Sequence, residues 1–315
     1  MTGSASNQLR SAFVAEVTEG TTPATPAFVN CDFPIQMSAT PSIIENRTIN
    51  YGGARGGASV GDITVEGSMS GPMIYGNFDV WLETLMQGAW ATNVLKDAKL
   101  SKTVTVENAI QAGVGGANTM MRYRGVQATE ATLSLTSNAE IQLSMSLMGR
   151  AGDVATVTAI TGATYTSPTN VLPLTSSVDV GTIIYAGYTL DCFESSTINF
   201  AFEGRERQTK IGTNELCGIT RGAFLPTISS RIYVEANFMA MYNAARVNHA
   251  TFAVTYPLGS VSGSKYTLLF PKCTFASATL DFTGSSAMQD VQILPQYNTA
   301  SACVRVIVSP ITTGG

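Results

Sequence analysis

The sequence carries little charge. Of its 315 residues, 13% are Asp, Glu, Lys or Arg, whereas roughly 25% is usual in soluble globular proteins. Hydrophobic residues, at 44%, are ordinary in number, so Ser, Thr, Asn and Gly must form much of the surface. A monomer with a large free surface usually carries more charge. The low charge therefore favours a subunit whose surface is mostly covered by neighbouring molecules.

Basic clusters are also missing. The net charge is −4, and the Lys and Arg residues form no run. Because affinity for nucleic acid phosphates comes from Lys and Arg that release counterions, the composition argues against a protein that grips DNA or RNA. The composition is compatible with a protein that lets DNA slide past it.

Long apolar runs do not occur. The chain has no apolar stretch of about 18 residues, and its first residues lack the apolar centre of a secretory signal. We therefore expect a protein that is made and kept in a cytosol and does not cross a membrane. The cysteines are odd in number and form no CxxC pair, so we expect small buried hydrophobes rather than disulfides or metal ligands: Cys31, Cys192, Cys217, Cys273 and Cys303.

Residues suited to catalysis are scarce. The single histidine, His249, has no evident nucleophile beside it, and the 22 carboxylates are scattered. The glycine-rich segments 52–57 and 113–116 do not open a helix after a strand and lack the Lys-Ser/Thr of a phosphate-binding loop. We expect no enzyme, no cofactor and no metal.

Residues 43–90 predict strands followed by one short helix. Apolar and polar residues alternate over 63–70, as in a strand with one buried face. Asn77 then stands where its side chain is expected to cap a helix. The apolar residues that follow have the spacing of one helical stripe: Phe78, Trp81, Leu82, Leu85 and Met86. We therefore predict a helix that begins near Phe78 and packs this stripe against a sheet.

A second periodic region predicts a hairpin. Every second residue is apolar in 131–135 and in 141–147, and the residues between are mostly Ser, Thr and Gln. Such a hairpin has one apolar and one polar face. By contrast, residues 92–119 are interpreted as a long loop that a partner orders.

The second half repeats this order of elements. Alternating segments at 196–203 and 227–235 precede a second predicted helix, whose stripe includes Phe238, Met241 and Tyr242. A tandem duplication is one interpretation, and two all-β domains that merely look alike are the other. The predicted organisation is an N-terminal assembly arm (1–30), a first domain (31–150), a linker (151–177) and a second domain (178–315).

Several short motifs occur in a recognisable order. Residues 17–28 read VTEGTTPATPAF, residues 45–47 read ENR, and the predicted helix ends in GAW at 88–90. In combination and order, over roughly residues 10–150, they resemble the major tail tube proteins of bacteriophages with long, non-contractile tails (the siphovirus type).

This resemblance implies a mainly β protein with two tandem β-sandwich or half-barrel domains of the tail tube type, each with one short α-helix. Neighbouring copies would complete the sheet edges into a closed barrel, which removes exposed edges. Single-domain members form hexameric rings, so we expect a trimeric ring with pseudo-sixfold symmetry, and a hexameric ring is the alternative. Residues 1–30 and 92–119 are the candidates for contacts between stacked rings.

The implied role is that of a structural virion protein in the tail, assembled in the bacterial host cytoplasm, through which the genome is ejected. Expected partners are other copies of the chain, the tape measure protein, the tail terminator and tail tip proteins, and double-stranded DNA that passes without specific binding. The alternative is a distal tail or hub/baseplate protein on the same scaffold. A carbohydrate-binding sandwich is disfavoured because the only two tryptophans, Trp81 and Trp90, are assigned to the helix.

In such a tube, polar strand faces line the channel, and a mildly negative wall would repel DNA phosphates. The candidate lumen-facing acidic residues are Glu66, Glu130, Glu140, Glu203 and Asp281. An ordinary solvated surface is the other interpretation of these positions. Arg231, which alternation places on a similar face, weakens the negative wall.

Overall fold

The computed structural model describes residues 8–49, 51–111, 116–169, 171–185, 188–190, 192–235, 239, 243, 251–261, 263–299 and 303–308. Strands dominate this part of the chain, which confirms the prediction of a mainly β fold. The helix α1 comprises Asp79–Met86. Of the predicted second helix, residues 239 and 243 are helical, while Phe238, Met241 and Tyr242 lie outside the described residues.

The strands up to residue 152 are β1 (Leu9–Ala15), β2 (Ala27–Asn30), β3 (Ile35–Glu45), β4 (Ala58–Pro72), β5 (Val94–Lys96), β6 (Val104–Gln111), β7 (Asn118–Thr136), β8 (Gln142–Gly149) and β9 (Ala151–Gly152). Those that follow are β10 (Thr164–Thr166), β11 (Ile183–Tyr185), β12 (Tyr188–Leu190), β13 (Phe193–Glu203), β14 (Arg207–Gln208), β15 (Gly218–Ile219), β16 (Ala223–Tyr233), β17 (Phe252–Leu258), β18 (Tyr266–Asp281), β19 (Met288–Pro295) and β20 (Arg305–Val308).

Eight strands form one continuous antiparallel sheet, hereafter the main sheet. Their order is β3, β4, β8, β7, β13, β16, β19, β18. Only the C-terminal parts of β7 and β18 belong to it, because their N-terminal parts pair instead with β6 and β17. An extra residue in each strand, Thr129 and Ala276, marks a bulge near this change of partners.

The two halves of the main sheet have the same strand pairing. The order β3, β4, β8, β7 in the first half matches β13, β16, β19, β18 in the second, and every pair is antiparallel. The pairing of β7 with β13 joins the halves edge to edge. The main sheet is therefore two copies of one four-strand pattern in series.

A second sheet contains the N-terminal segment. β1 lies between β2 and β6, and Phe13 and Phe28 are buried. Residues 9–30, which belong to the predicted N-terminal assembly arm, are thus packed within their own chain. The interpretation of 92–119 as a loop is wrong for Val94–Lys96, which forms β5, and for Val104–Gln111, which forms β6 and buries Val104, Val106 and Ala109.

The segment interpreted as a linker also packs on the first half. β10 pairs in parallel with β2, and Tyr165 stacks on Phe28 with ring centroids 5.4 Å apart. Further along, Leu174 is buried, and its N–H donates to the carbonyl of Met73 at 2.9 Å. Residues 151–177 thus contribute two short strands, β9 and β10, and core contacts.

The helix α1 packs its apolar stripe into the core. Phe78, Trp81, Leu82 and Leu85 are all at least 96% buried. The predicted cap is wrong: no side chain caps the helix, because the Asn77 side chain donates to Asp32 and accepts from the Thr169 N–H instead.

The last described strand ties the two halves together. β20 pairs with both β18 and β5, and Asp97 accepts the N–H groups of Cys303 and Val304 at 2.7 and 2.9 Å. In addition, the Tyr266 hydroxyl of the second half donates to Asp79 at the start of α1. This carboxyl is largely buried, which raises its pKa.

The five cysteines are free. Cys273 and Cys303 are buried and Cys31 is half-buried, but Cys192 and Cys217 are exposed. The expectation of small buried hydrophobes is therefore wrong for these two, which lie at the start of β13 and in the connection between β14 and β15. Burial raises the pKa of the Cys31 thiol to about 12, so it is not a reactive thiolate.

Candidate functional site: the polar face and open edges of the main sheet

One face of the main sheet is polar across all eight strands. Residues paired across strands point to the same side, so the register collects hydroxyl, amide and carboxylate side chains on one surface, hereafter the polar face. It includes Gln36, Ser38, Glu66, Ser68, Ser70, Glu130, Thr132, Ser134, Gln142, Ser144, Ser146, Ser195, Thr197, Asn199, Glu203, Thr227, Ser229, Arg231, Ser277, Thr279, Asp281, Asp290 and Gln292. The opposite face carries the core.

Arg231 on β16 is the centre of a carboxylate cluster on the polar face. Its guanidinium contacts Glu194 at 2.8 Å, Asp281 at 2.8 Å and Asp290 at 3.0 Å. The hydrogen bonds to Asp281 and Asp290 raise the pKa of Arg231, which stays charged. Three carboxylates against one guanidinium leave the cluster net negative, so Arg231 does not reverse the charge of this face.

Asp281 has partners on two sides. Its carboxylate accepts the hydroxyl and the N–H of Thr283 at 2.6 and 2.9 Å, in addition to the guanidinium of Arg231. These contacts hold the pKa of Asp281 well below its ordinary value. The side chain is therefore ionised throughout the neutral and mildly acidic range.

The other predicted acidic residues do not form one site. Glu66 pairs with Arg207 at 2.8 Å, and Glu130 accepts from the Asn199 amide at 3.3 Å. Glu203 is exposed at the end of β13. Glu140 lies two residues before β8, in an isolated bridge with Thr175, and accepts from the amide of Gln142 on the polar face at 3.4 Å.

The two outer edges of the main sheet are β3 and the C-terminal part of β18. At the start of β3, side chains of the same chain bond the edge-facing backbone: the Ile35 N–H donates to the Ser11 hydroxyl at 3.0 Å, and the carbonyls of Ile35 and Met37 accept from the Asn108 amide at 2.8 Å and the Tyr123 hydroxyl at 3.1 Å. From Ser38 to Glu45 the β3 edge is exposed. Within the described residues, β3 has a strand partner only in β4, and residues 277–281 have one only in β19. Two large apolar side chains are exposed at the β18 edge: Leu280 at 44% and Phe282 at 69%. Beside β3 lies a groove of about 730 Å³ whose lining includes Met37.

The hairpin of β3 and β4 extends beyond the sheet and exposes further apolar side chains. These are Ile43 at 69%, Ile44 at 61%, Ile49 at 70%, Tyr51 at 110% and Val60 at 67%. Exposed apolar residues at unpaired strand edges are characteristic of surfaces that another chain covers.

The described residues contain no cluster of His, Cys, Asp and Glu suited to a metal ion. Among them there is also no helix of the length and apolarity needed to span a membrane.

A model of the phage tail tube protein family matches residues 6–298, which is nearly the whole chain. The chain belongs to the phage tail tube protein family. A search of curated proteins gives no match. The family assignment confirms the resemblance at this level and makes the chain a structural protein of the virion tail. Assignment to a long, non-contractile tail stays a prediction.

Sequence reasoning missed parts of this site. Glu194 and Asp290 were not singled out, although they complete the cluster around Arg231. Alternation within β16 puts Arg231 on the polar side, but only the register of β13 and β19 against β16 brings the other two carboxylates to it. The exposed side chains of β18 gave no signal of their own, because Leu280 has the same alternating pattern as a buried strand residue.

Proposed function

We propose that copies of this chain form rings, that the rings stack into the tail tube, and that the phage genome passes through its bore into the host. The observation that carries this proposal is the pair of open edges on the main sheet, in a chain of the tail tube family. An unpaired strand edge invites association with further strands, and a closed ring of strands removes every edge.

The internal repeat supports a ring of three copies. Each chain supplies two four-strand units, so three chains supply six units and a pseudo-sixfold ring. With eight strands per chain, such a wall would contain 24. At a strand spacing of about 4.8 Å and a tilt of about 35–45°, its backbone diameter would be about 45–50 Å. A DNA duplex fits within that bore. A hexameric ring is the alternative.

The polar face would line the bore. It is rich in hydroxyl groups, and its charged clusters are net negative where Arg231 meets three carboxylates. A negative, hydroxyl-rich wall repels phosphates, so DNA would slide without specific binding. The proposed lumen residues are the five predicted from the sequence: Glu66, Glu130, Glu140, Glu203 and Asp281.

Stacking would use the exposed parts of the two segments named as ring-to-ring candidates. Within residues 1–30, Val17 is 98% exposed, and within 92–119, Leu100 is 48% exposed. The tube would also meet a tape measure protein inside and terminator and tip proteins at its ends, after assembly in the host cytoplasm.

As domain limits we propose 31–150 and 178–315, with 1–30 and 151–177 as accessory segments on the first unit.

Negative-stain electron microscopy of the purified protein at high concentration tests the proposal. Hollow tubes or stacks of rings are the expected result. Single rings that never stack would favour a distal tail or hub protein that caps a tube. A monomer that does not assemble at any concentration would contradict the proposal.

A further inference from the structure

We infer that the β18 edge of one copy pairs with the β3 edge of the next, antiparallel and in the same register as the joint between β7 and β13 inside each chain. This inference rests on the proposed function and specifies the contact by which copies join. The partner is a second copy of this chain, because the chain already contains one example of the same joint.

The internal joint supplies the template. β7 and β13 pair from Thr136 opposite Ser195 to Glu130 opposite Ala201. At its centre, Leu133 lies opposite Ile198, and these side chains are 2% and 0% exposed. The joint thus buries apolar side chains on one face and pairs polar ones, such as Thr132 and Asn199, on the other.

The bulges align the β18 edge with the β7 edge. Thr129 is the extra residue of β7 against β8, and Ala276 is the extra residue of β18 against β19. Counting four residues on from each bulge places Leu280 at the position of Leu133. By the same count, Thr279 corresponds to Thr132 and Phe282 to Leu135.

The neighbouring strands align the β3 edge with the β13 edge. Leu147 and Ile293 correspond, because each lies opposite the residue that precedes the bulge. Leu147 lies opposite Gly67, which lies opposite Met37. Ile293 lies opposite Ile228, which lies opposite Ile198. Met37 therefore holds the position of Ile198.

Together, the two alignments define one register for the pairing of β3 with β18 of the next copy. Its pairs are Gln36 opposite Asp281, Met37 opposite Leu280 and Ser38 opposite Thr279. Ser11 and Asn108 already bond the edge-facing N–H and carbonyl of Ile35, so backbone hydrogen bonds to the next copy would begin at Met37 and continue toward the end of β3, while Phe282 would pack beside the start of the strand. The register also accounts for the exposed side chains: Leu280 and Phe282 are 44% and 69% exposed, whereas their counterparts Leu133 and Leu135 are 2% and 5% exposed because β13 covers them. Pairing with β3 of another copy would cover them in the same way.

The connection between β13 and β16 adds a second contact to the template. It lies across the first half of the chain, where Arg207 pairs with Glu66 at 2.8 Å and Glu215 pairs with Arg124 at 2.8 Å. Leu216 is 2% exposed there, and its carbonyl accepts from the Arg150 guanidinium at 2.9 Å.

The matching connection between β3 and β4 has no such surface to cover in its own chain. The exposed apolar residues next to it, including Ile43, Ile44 and Val60, lie in the far end of the β3–β4 hairpin, beyond the part of β4 that pairs with β8. In the matched register they would lie across the second half of the neighbouring copy. That surface exposes Leu294 at 39% and Tyr297 at 65%, and Leu294 occupies the position that Met148 holds in the first half.

The contact is head-to-tail, because the β3 and β18 edges are different surfaces of one chain. Such heterologous contacts form a closed ring when the rotation at each joint closes. If the joint between copies has the geometry of the joint within a copy, six joints of two kinds alternate around the ring. The inference therefore agrees with three copies per ring.

Cysteine cross-linking tests the register. The variant is Ser38→Cys with Thr279→Cys, in a background where the exposed cysteines are replaced by Cys192→Ser and Cys217→Ser. Directly opposed residues have Cβ atoms about 4.5–5.5 Å apart, close to the range of a disulfide. Mild oxidation should link copies into dimers and trimers on a non-reducing gel, with the trimer as the largest closed product.

Two controls accompany this variant. The pair Gln36→Cys with Ser277→Cys is shifted by four residues, about 13 Å along the strand, and should link copies at least tenfold less. The pair Thr132→Cys with Asn199→Cys occupies the internal template and should form a disulfide within one chain.

The outcomes distinguish a failure of the proposed register from a failure of the proposed function. Tubes in the microscope with efficient linking of the shifted pair, or with no linking of the matched pair, would overturn the register and leave the tube function standing. Absence of any ring or tube in the parent protein would overturn both.

As a second variant, Phe282→Glu should keep the circular dichroism spectrum and unfolding midpoint of the subunit while abolishing rings. Rings of normal yield from it would contradict the inference.

Discussion

Leu133 on β7 lies directly opposite Ile198 on β13, and both side chains are buried. This pair joins the two halves of the chain through the main sheet. Its repeat counterparts, Leu280 and Met37, lie at the two open ends of the same sheet. In the proposed contact between copies, Met37 and Leu280 would pair as Ile198 and Leu133 do within one chain.

The joint between β7 and β13 should be sensitive to truncation of its buried side chains. We expect Ile198→Ala to lower the free energy of unfolding by about 2–5 kcal/mol, because it removes buried methyl groups and leaves a cavity. Urea unfolding of the unassembled subunit measures this loss. Met37→Ala is the matched control, since its side chain is only partly buried in the single chain and should cost less there. Equal losses would show that the joint is not a packed core.

A buried ion cluster holds the second sheet together. Glu107 is fully buried and bonds Arg10 at 2.8 Å, Arg122 at 2.8 Å and the Tyr165 hydroxyl at 2.7 Å. We expect Glu107→Gln to destabilise the subunit by about 3–5 kcal/mol, because the guanidinium groups lose their counter-charge. Chemical denaturation of the variant measures the change in free energy.

The exposed pair of Arg124 and Asp153 provides the comparison for Glu107. Asp153→Asn breaks an ion pair whose side chains are 24% and 36% exposed, and it should cost at most about 1 kcal/mol. A similar loss for Glu107→Gln and Asp153→Asn would mean that the buried cluster contributes no more than a surface pair.

Acid should weaken the contacts of Asp281. Because Thr283 and Arg231 lower its pKa in the folded chain, the stabilisation is complete above the ordinary carboxyl pKa of about 3.9 and is lost as the pH falls through the lowered folded value. The stability difference between the parent and Asp281→Asn should be constant from about pH 5 to pH 8 and shrink below about pH 4. Urea unfolding across this range measures it. A difference that already shrinks near pH 6 would contradict the assignment.

The charge of the polar face should control whether tubes hold DNA. In a variant with Glu194→Gln, Asp281→Asn and Asp290→Asn, Arg231 loses its three carboxylates. Tubes of this variant should retain duplex DNA in a sedimentation assay at about 50 mM salt and release it at about 200 mM, since phosphate contacts weaken as salt rises. Parent tubes should retain none at either salt concentration.

The control for the charge variant neutralises three carboxylates elsewhere, with Asp32→Asn, Glu45→Gln and Asp153→Asn. Its tubes should behave like the parent, because Arg231 keeps its partners. Equal retention of DNA by both variants would attribute the effect to net charge and not to the polar face.

Stacking should depend on exposed residues outside the main sheet. We expect Val17→Asp to leave rings intact but to shorten or abolish tubes, because Val17 is 98% exposed and a charge would be buried between rings. Electron microscopy counts rings and tubes. Val178→Asp, at a valine that is 70% exposed outside the stacking segments, is the control and should form normal tubes.

Local periodicity was enough to predict several elements. The spacing of Phe78, Trp81, Leu82 and Leu85 predicted α1 to within one residue of its start, and strict alternation predicted the hairpin of β7 and β8. These signals each lie within about ten residues of sequence. The spacing of the apolar residues defines the buried face of the element, whichever other element packs against it.

Elements that depend on distant partners were not predictable in the same way. β1 and β6 are about a hundred residues apart, and β6 is a strand because Leu9–Ala15 pairs along it. The sequence of 92–119 carries glycines and polar residues that favour a loop when considered alone. Asn77 was a good local cap candidate, but Asp32 and the Thr169 N–H compete for its side chain.

The candidate site shows the same division. Alternation indicated which strand residues face the polar side, and Glu66, Glu140 and Glu203 were predicted in that way. The cluster around Arg231 required the register of three further segments, and the open edges required the knowledge of which strands end the sheet. Neither is encoded in any short stretch of sequence.

Cryo-electron microscopy of tubes assembled from the purified protein tests the central claim most directly. We expect a continuous β wall shared by three copies per ring, its polar face toward the bore and Ser38 of each copy opposite Thr279 of the next. A reconstruction in which each chain is a closed sandwich, with β3 and β18 facing solvent and no strand pairing between copies, would contradict it.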